Sequence, residues 1–170
     1  AGDLTITAGQ VYPVSASTFT ITAYNYSVGG VAKNGSVTIA SSGVTPQFPL
    51  SGGGRLNIYA STITQGGTLR APLGTITLGW DGTGTAPKGL VTNVSVPVTQ
   101  QITLGSGSVT SVSAIDPQTG LGVQIPYGLV KDGSVWIDPT GLDITSIGVP
   151  DKSVRVSATN VSTEAGSVLD

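Results

Sequence analysis

Apolar and polar residues alternate with a period of two along most of this chain. The alternation is clearest in three short runs, residues 56–60 (LNIYA), 67–71 (GTLRA) and 75–78 (TITL). Turn signals separate the runs, Gly66-Gly67 before the second and Pro72-Leu73-Gly74 before the third. A period of two is typical of a strand with one buried face, and the 3.6-residue period of a helix is absent. The pattern therefore predicts three strands.

The same pattern returns about a hundred residues later. Residues 153–161 (SVRVSATNV) overlay residues 55–63 (RLNIYASTI). The overlay pairs Leu56 with Val154, Ile58 with Val156, Ala60 with Ala158, Ile63 with Val161 and, after one inserted residue, Leu69 with Val168. A pattern that returns in register indicates stacked coils. We expect Leu56, Ile58, Ile76, Val154 and Val156 to point into one shared core.

Gly-x-apolar starts mark the beginning of the predicted strands. They fall at Gly2, Gly35, Gly54, Gly74, Gly107 and Gly133, with Ser153 in the corresponding place. The 19- and 20-residue spacings predict a β-solenoid with a base coil of about 20 residues and irregular loop insertions. Seven to eight coils at ~4.8 Å each would make a block on the order of 35 Å long. The alternative is a β-sandwich, which also uses short strands and frequent turns.

The composition excludes several kinds of partner and chemistry, and it says less about the fold. Charged residues make up 9% of the chain, the net charge is −2, and the few cations form no patch, which argues against nucleic acid as a partner. Cys and His are absent, so thiolate chemistry, disulfides, the usual general base and the commonest metal ligands are excluded. No apolar run approaches the 18 residues of a membrane span, and the first residues do not form a signal peptide. We expect residues 1–170 to be one interior block of a longer protein.

Three longer segments, taken in order, resemble a known family. They are residues 54–79 (GRLNIYASTITQGGTLRAPLGTITLG), 105–114 (GSGSVTSVSA) and 125–133 (IPYGLVKDG). Together they are similar to the repeat region of large filamentous haemagglutinin-like exoproteins, which are exported by two-partner secretion. The resemblance implies a right-handed parallel β-helix, exposure at the bacterial cell surface, and a role in adhesion, aggregation or biofilm. It also implies a receptor or glycan on a host or neighbouring cell as partner.

The nine acidic residues are too dispersed to predict an enzyme. The densest group is Asp132, Asp138 and Asp143, around Trp136. Turn capping at Asp-Gly and Asp-Pro is the expected role of this group, and a calcium site or catalytic pair is the alternative. No catalytic residue and no cofactor is predicted.

The scarce aromatic residues give the candidate binding positions. They lie in predicted insertions, as Tyr24 with Tyr26, Trp80 with Asp81, and Tyr127 through Trp136. Regular coils present flat rows, whereas specific sites need concavity, so a ligand should bind at an insertion. Trp80 is favoured because glycines surround it, and its alternative role is to cover the solenoid. Unpaired strands at the two ends of the block predict end-to-end self-association as well.

Overall fold

The computed structural model describes residues 2–89, 94–122, 128–129, 133–148 and 151–170. These residues form strands and turns, with no helix among them. The strands are β1 (Asp3–Ala8), β2 (Thr18–Thr22), β3 (Tyr26–Val28), β4 (Val31–Lys33), β5 (Ser36–Ser41), β6 (Arg55–Tyr59), β7 (Thr62–Gly66), β8 (Thr68–Arg70), β9 (Thr75–Leu78), β10 (Gln101–Leu104), β11 (Val109–Ser111), β12 (Gly128–Leu129), β13 (Trp136–Ile137), β14 (Ser153–Val156), β15 (Asn160–Thr163) and β16 (Val168–Leu169). The predicted all-β class is confirmed.

Three parallel sheets are built from strands that lie far apart in the sequence. Sheet A has the order β1-β5-β7-β10-β15, sheet B the order β8-β11-β16, and sheet C the order β2-β6-β9-β14. Val11 extends sheet B through a parallel bridge to Leu69. The chain visits the sheets in the order A, B, C, and each visit adds the next strand to its sheet, except that it passes from β5 of sheet A to β6 of sheet C without adding a strand to sheet B. We call one such passage a coil. A β-sandwich requires two antiparallel sheets, so that alternative does not fit.

Inward-facing residues form continuous rows across the stacked strands. In sheet A one row contains Leu4, Val37, Ile63, Ile102 and Val161. In sheet C one row contains Phe19, Leu56, Ile76 and Val154, and the next contains Ile21, Ile58, Leu78 and Val156. The middle members of each row are fully buried, whereas members on the edge strands are more exposed because no further strand covers them. Each buried Leu or Ile contributes roughly 1.5–3 kcal/mol to folding.

The two copies of the repeated pattern lie in the same sheets. Leu56 and Val154 share a row through Ile76, and Ile63 shares a row with Val161, as the overlay predicts. Four of the five predicted core residues belong to the core or pack against it, and Val154 is half-buried because it lies on the edge strand β14.

The last part of the predicted overlay is wrong by one residue. Thr68, and not Leu69, shares the row of Val168, while Leu69 shares its row with Leu169 through Thr110. The turns before β11 and β16 are two residues longer than the turn at Gly66-Gly67, whereas the overlay allows for one. Because side chains alternate between the faces of a strand, this slip places Val168 on the opposite face from Leu69.

The predicted number of coils is also wrong. Among the described residues the largest sheet has five strands, not seven or eight, so about 20 Å separates its first strand from its last at ~4.8 Å per strand. The Gly-x-apolar starts fall on different sheets: Gly35 precedes β5 of sheet A and Gly54 precedes β6 of sheet C in the same coil. The expected 20-residue coil occurs where Arg55 pairs with Thr75. Gly133 precedes no strand of the three sheets.

Insertions leave the coils at the corners between sheets. One forms the antiparallel hairpin β3–β4 between sheets C and A. A second, residues 79–100, separates β9 from β10, and a third, residues 112–152, separates β11 from β14 and contains the antiparallel pair β12–β13. After each insertion the chain returns to the register of the coil before it, so the core does not depend on the length of the loop.

Candidate functional site

The insertion that begins at Gly79 is closed at its base by Thr99. The Thr99 amide donates to the Trp80 carbonyl oxygen at 2.7 Å, and the Trp80 amide donates to Thr99 Oγ1 at 3.1 Å. The same hydroxyl donates to the Ala60 carbonyl oxygen at 2.8 Å, and the Thr99 side chain is fully buried. One hydroxyl therefore ties both ends of the insertion to the preceding coil.

Replacing Thr99 by the isosteric valine should destabilise the protein. Thr99→Val leaves the Trp80 amide and the Ala60 carbonyl oxygen without their partner, and a buried polar group left unpaired costs about 1–3 kcal/mol. Urea unfolding should show this loss. Thr103→Val on the outward face of β10 is the matched control and should cost much less, since that position is half-buried. Equal unfolding midpoints for the two variants would contradict the role of Thr99.

Trp80 and Asp81 form the first turn of the insertion. The Trp80 indole Nε1 donates to the Thr83 carbonyl oxygen at 2.8 Å, and Asp81 Oδ1 accepts from the Thr83 amide at 2.9 Å and from its hydroxyl at 2.7 Å. Gly82 and Gly84 have positive φ angles of 89° and 69°, which let the chain reverse tightly. Hydrogen bonds within the turn thus fix the orientation of the Trp80 ring.

The Asp81 carboxylate is held in its charged form by these bonds. The hydrogen bond from the Thr83 hydroxyl is the main cause that lowers the pKa of Asp81 below its ordinary value of 3.8, with further contributions from the Thr83 amide and Ser157. Because the folded pKa is lowered, the stabilisation of the turn is present above pH ~4 and is lost as the pH falls below that value.

Acid should therefore loosen the Trp80 turn. In a Trp136→Phe background, which leaves Trp80 as the remaining tryptophan, we expect its fluorescence emission to shift to longer wavelength as the pH falls below about 4. Asp81→Asn in the same background keeps an oxygen acceptor but does not titrate, so its emission should stay constant in this range. The same acid shift in both proteins would show that another group is responsible.

A cleft with a volume of about 360 Å³ lies between this insertion and the outer face of sheet C. Tyr59 forms part of it. Its position in β6 faces outward, since Leu56 and Ile58 face the core, yet only 7% of its surface is exposed. Arg155 and Ser157, from β14 and the residue after it, line the same cleft as Trp80. Burial raises the pKa of Tyr59, so its hydroxyl is neutral at physiological pH.

The predicted pair Tyr24 and Tyr26 does not line this cleft. The Tyr26 hydroxyl donates to Asp3 Oδ2 at 2.6 Å, which raises the pKa of Tyr26 and, more than any other contact, lowers the pKa of Asp3. A Cβ at Gly2 would collide with the Tyr26 ring, and a Cβ at Gly89 would lie 2.4 Å from the Tyr24 hydroxyl oxygen. Both tyrosines therefore pack against backbone, as expected of residues that fasten an insertion to the coils.

The third predicted group lies in the insertion between β11 and β14. Trp136 is on β13 and is exposed, and its amide donates to the Thr145 hydroxyl. Asp138 Oδ1 accepts from the amide and hydroxyl of Thr140, and Asp143 Oδ1 accepts from the Thr145 amide, so both carboxylates cap turns. These bonds lower the pKa of Asp138 and of Asp143. Tyr127, with Asp132, lies outside the described residues.

The structure thus places Trp80 and Asp81 in one cleft, whereas Tyr24, Tyr26 and Trp136 do not line it. The sequence reasoning missed Tyr59 and Arg155 as cleft residues. Their outward position could have been found from the alternation in β6 and β14, which places the residues between the core positions on the outer face. That an insertion folds over this face is not visible in the alternation.

Two further features of the described residues bear on chemistry. Within the described ranges, no group of three or more His, Cys, Asp or Glu side chains is placed to hold a metal ion. A helix of the length and apolarity needed to cross a membrane is likewise not found in this part of the chain.

Comparison with known proteins returned no match among family models, curated proteins or solved structures.

Proposed function

We propose that this chain is a block of a right-handed parallel β-helix that serves as a structural and adhesive segment of a secreted filamentous exoprotein at the bacterial cell surface. The observation that carries the proposal is the repeated passage of the chain through sheets A, B and C, with apolar rows continuous along the stack. Such a stack is stiff because every middle strand is hydrogen-bonded on both sides. In this proposal the block is not an enzyme and needs no cofactor.

The outer faces of the sheets suit an exposed extracellular block. Outward positions carry uncharged polar residues that bond along the stack, such as Asn57 Nδ2 to Thr20 Oγ1 at 3.3 Å and Ser162 Oγ to Thr103 Oγ1 at 3.2 Å. The insertion that begins at Gly79 lies over the outer face of sheet C. A receptor or glycan on a host or neighbouring cell is the proposed partner, and the acidic balance of the chain does not favour nucleic acid.

A deletion experiment tests whether the stacked strands provide the structure and the insertion provides the adhesive surface. The 170-residue protein is coated on beads, and bead adhesion to bacterial and epithelial cells is compared with that of a variant in which residues 81–98 are replaced by a two-glycine link. We expect the variant to keep its β-sheet circular dichroism, because Trp80 and Thr99 already meet at the base, but to adhere less. Adhesion by neither protein would overturn the adhesive role, and a crystal structure with left-handed coils would overturn the proposed handedness.

Self-assembly is a second candidate function, favoured by the apolar residues on the edge strands. Val161 on β15 is 47% exposed and Leu169 on β16 is 50% exposed. On the opposite edge, Leu4 and Phe19 are exposed as well. The two edges belong to the same rows and both present unpaired parallel strands, so one copy can continue the sheets of another.

The 170-residue protein should therefore associate as its concentration rises. Sedimentation velocity at increasing concentration should show species larger than the monomer, and Val161→Lys should suppress them because it places a charge in the edge row. Val14→Lys is the control, since Val14 is 72% exposed outside the strands. A strict monomer at high concentration, or equal suppression by both substitutions, would contradict end-to-end stacking.

A further inference from the structure

We propose that the cleft at Trp80 binds a carboxylated sugar, with Arg155 holding the carboxylate and the Trp80 ring stacking on the face of the pyranose. The ligand class is thus an acidic saccharide built from uronic acid units. The inference concerns one cleft on the outer face of sheet C and holds whether or not the block is part of an adhesive filament.

The cleft has the size and lining of a small-ligand site. Its volume of about 360 Å³ lies at the lower end of the range of roughly 300–1,000 Å³ that is usual for such sites. Aromatic residues, Trp80 and Tyr59, are combined there with the hydroxyl groups of Thr77 and Ser157. A sugar presents the matching surfaces, since its C–H face stacks on the electron-rich face of an aromatic ring and its hydroxyl groups bond to polar side chains.

The Trp80 ring is held in place before any ligand arrives. Its indole N–H is bonded to the Thr83 carbonyl oxygen, and its backbone is bonded on both sides to Thr99. A ring that is already ordered loses little conformational entropy on binding, which favours affinity. With the N–H engaged, the ring offers its apolar surface to the cleft.

Arg155 supplies the charge that selects an acidic sugar. It lies on the outward face of β14, in register with Thr77, and its side chain is exposed. Among the described residues, no carboxylate forms an ion pair with its guanidinium group. A guanidinium group offers a planar fork of N–H donors that matches a carboxylate, and such bonds are stronger than those between neutral groups.

Asp81 restricts the orientation in which a ligand can bind in the cleft. Its Oδ1 accepts from the amide and the hydroxyl of Thr83, which hold the carboxylate in place as an anion. Anion and cation line the same cleft, and a ligand must present its carboxylate to Arg155 and its hydroxyl donors towards Asp81. A uronic acid unit carries both groups on one ring, whereas a neutral sugar leaves Arg155 without a charged partner.

Titration of the 170-residue protein with a trimer of galacturonic acid, followed by the Trp80 indole N–H resonance and by calorimetry, tests the proposal. A neutral galactose trimer and inorganic phosphate serve as the other arms. We expect the acidic trimer to shift the indole resonance and to bind at least about tenfold more tightly than the neutral trimer, as the loss of one charged hydrogen bond implies. Phosphate alone should bind weakly, since it has no face to stack on Trp80.

Substitutions of Arg155 and Trp80 test the charged part and the aromatic part of the site separately. Arg155→Gln should reduce the affinity for the acidic trimer about tenfold or more and leave that for the neutral trimer unchanged. Trp80→Ala should weaken both, and its melting temperature reports whether the insertion still folds. Arg55→Gln, an exposed arginine on the same face of sheet C that lines a different cleft, is the control and should bind like the unchanged protein.

Three results would overturn the inference. The first is no binding of the acidic trimer at millimolar concentration. The second is equal affinity for the acidic and neutral trimers with no effect of Arg155→Gln, which would leave a neutral-sugar site at most. The third is an equal loss of affinity in Arg155→Gln and Arg55→Gln, which would indicate non-specific charge attraction.

Discussion

Gly74→Ala should cost about 4 kcal/mol or more, which is a large part of the total stability of a domain of this size. Gly74 lies one coil after Gly54, and the two backbones pass close to each other at the start of β9. A Cβ added at Gly74 would lie 1.9 Å from the Gly54 carbonyl oxygen, the atom to which the Thr75 amide donates at 3.0 Å. The coils would have to separate at this corner and break that hydrogen bond.

Urea unfolding, with circular dichroism as the readout, measures the effect. Gly122→Ala is the matched control, because an added Cβ at Gly122 would meet no atom within 4 Å, and its φ angle is not in the left-handed region. We expect the control to unfold close to the unchanged protein and Gly74→Ala to unfold at much lower urea or to be unfolded in buffer. Similar midpoints for the two variants would show that the corner can relax and that the close approach of the two backbones is not rigid.

Gln65→Ala should be the next most damaging substitution after Gly74→Ala. Gln65 is fully buried in an inward row of sheet A, between apolar residues of β5 and β10. Its Nε2 donates to the carbonyl oxygens of Gly67 and Val109 and to Thr110 Oγ1, and its Oε1 accepts from the Gly67 amide at 3.2 Å. One amide side chain thus joins sheet A to sheet B across a corner.

Removing this side chain combines two costs. Truncation leaves a cavity, which costs roughly 2–5 kcal/mol for a side chain of this size, and it leaves the Gly67 amide without an acceptor, at about 1–3 kcal/mol. Gln65→Leu restores the volume but not the hydrogen bonds, so it should lie between Gln65→Ala and the unchanged protein. Calorimetric unfolding of both, with Gln101→Ala on the outward face of β10 as control, measures the two costs separately.

The outcomes that would contradict the corner role of Gln65 are specific. If Gln65→Leu is as stable as the unchanged protein, the hydrogen bonds across the corner contribute nothing net, and only the filled volume matters. If the Gln101→Ala control loses as much stability as Gln65→Ala, burial does not distinguish the two positions. The expected order of stability is the control, then leucine, then alanine.

The alternation of residues determined the strand class and the faces of most strands. The alternation predicts that Leu56, Ile58 and Ile76 face the core, and all three are buried. With a period of two, the apolar side chains of a strand lie on one face, so only one orientation of the strand buries all of them. The returning pattern likewise predicted that β6 and β14 belong together, and both lie in sheet C. These are local rules, which a single stretch of chain can satisfy without reference to its neighbours.

The number of coils could not be read from the sequence, because a Gly-x-apolar start has the same form in all three sheets. Gly35 and Gly54 open strands of different sheets, and only the hydrogen-bonded partners of each strand reveal this. Insertion lengths have the same effect, since the loop between β9 and β10 is as long as a coil, while its described residues add no strand to the three sheets. Spacing along the chain therefore overestimated the number of coils.

The tertiary structure likewise determined which inward positions can hold a buried polar residue. Gln65 and Thr110 stand where the rows otherwise carry aliphatic residues, and the corner between sheets A and B supplies the partners that allow their burial. The cleft depends likewise on distant segments, as Trp80 and Arg155 line one cleft only because the insertion folds back over sheet C. Alternation is a property of neighbours in sequence, whereas the satisfaction of a buried polar group and the shape of a cleft are properties of residues that only the stacked coils bring together.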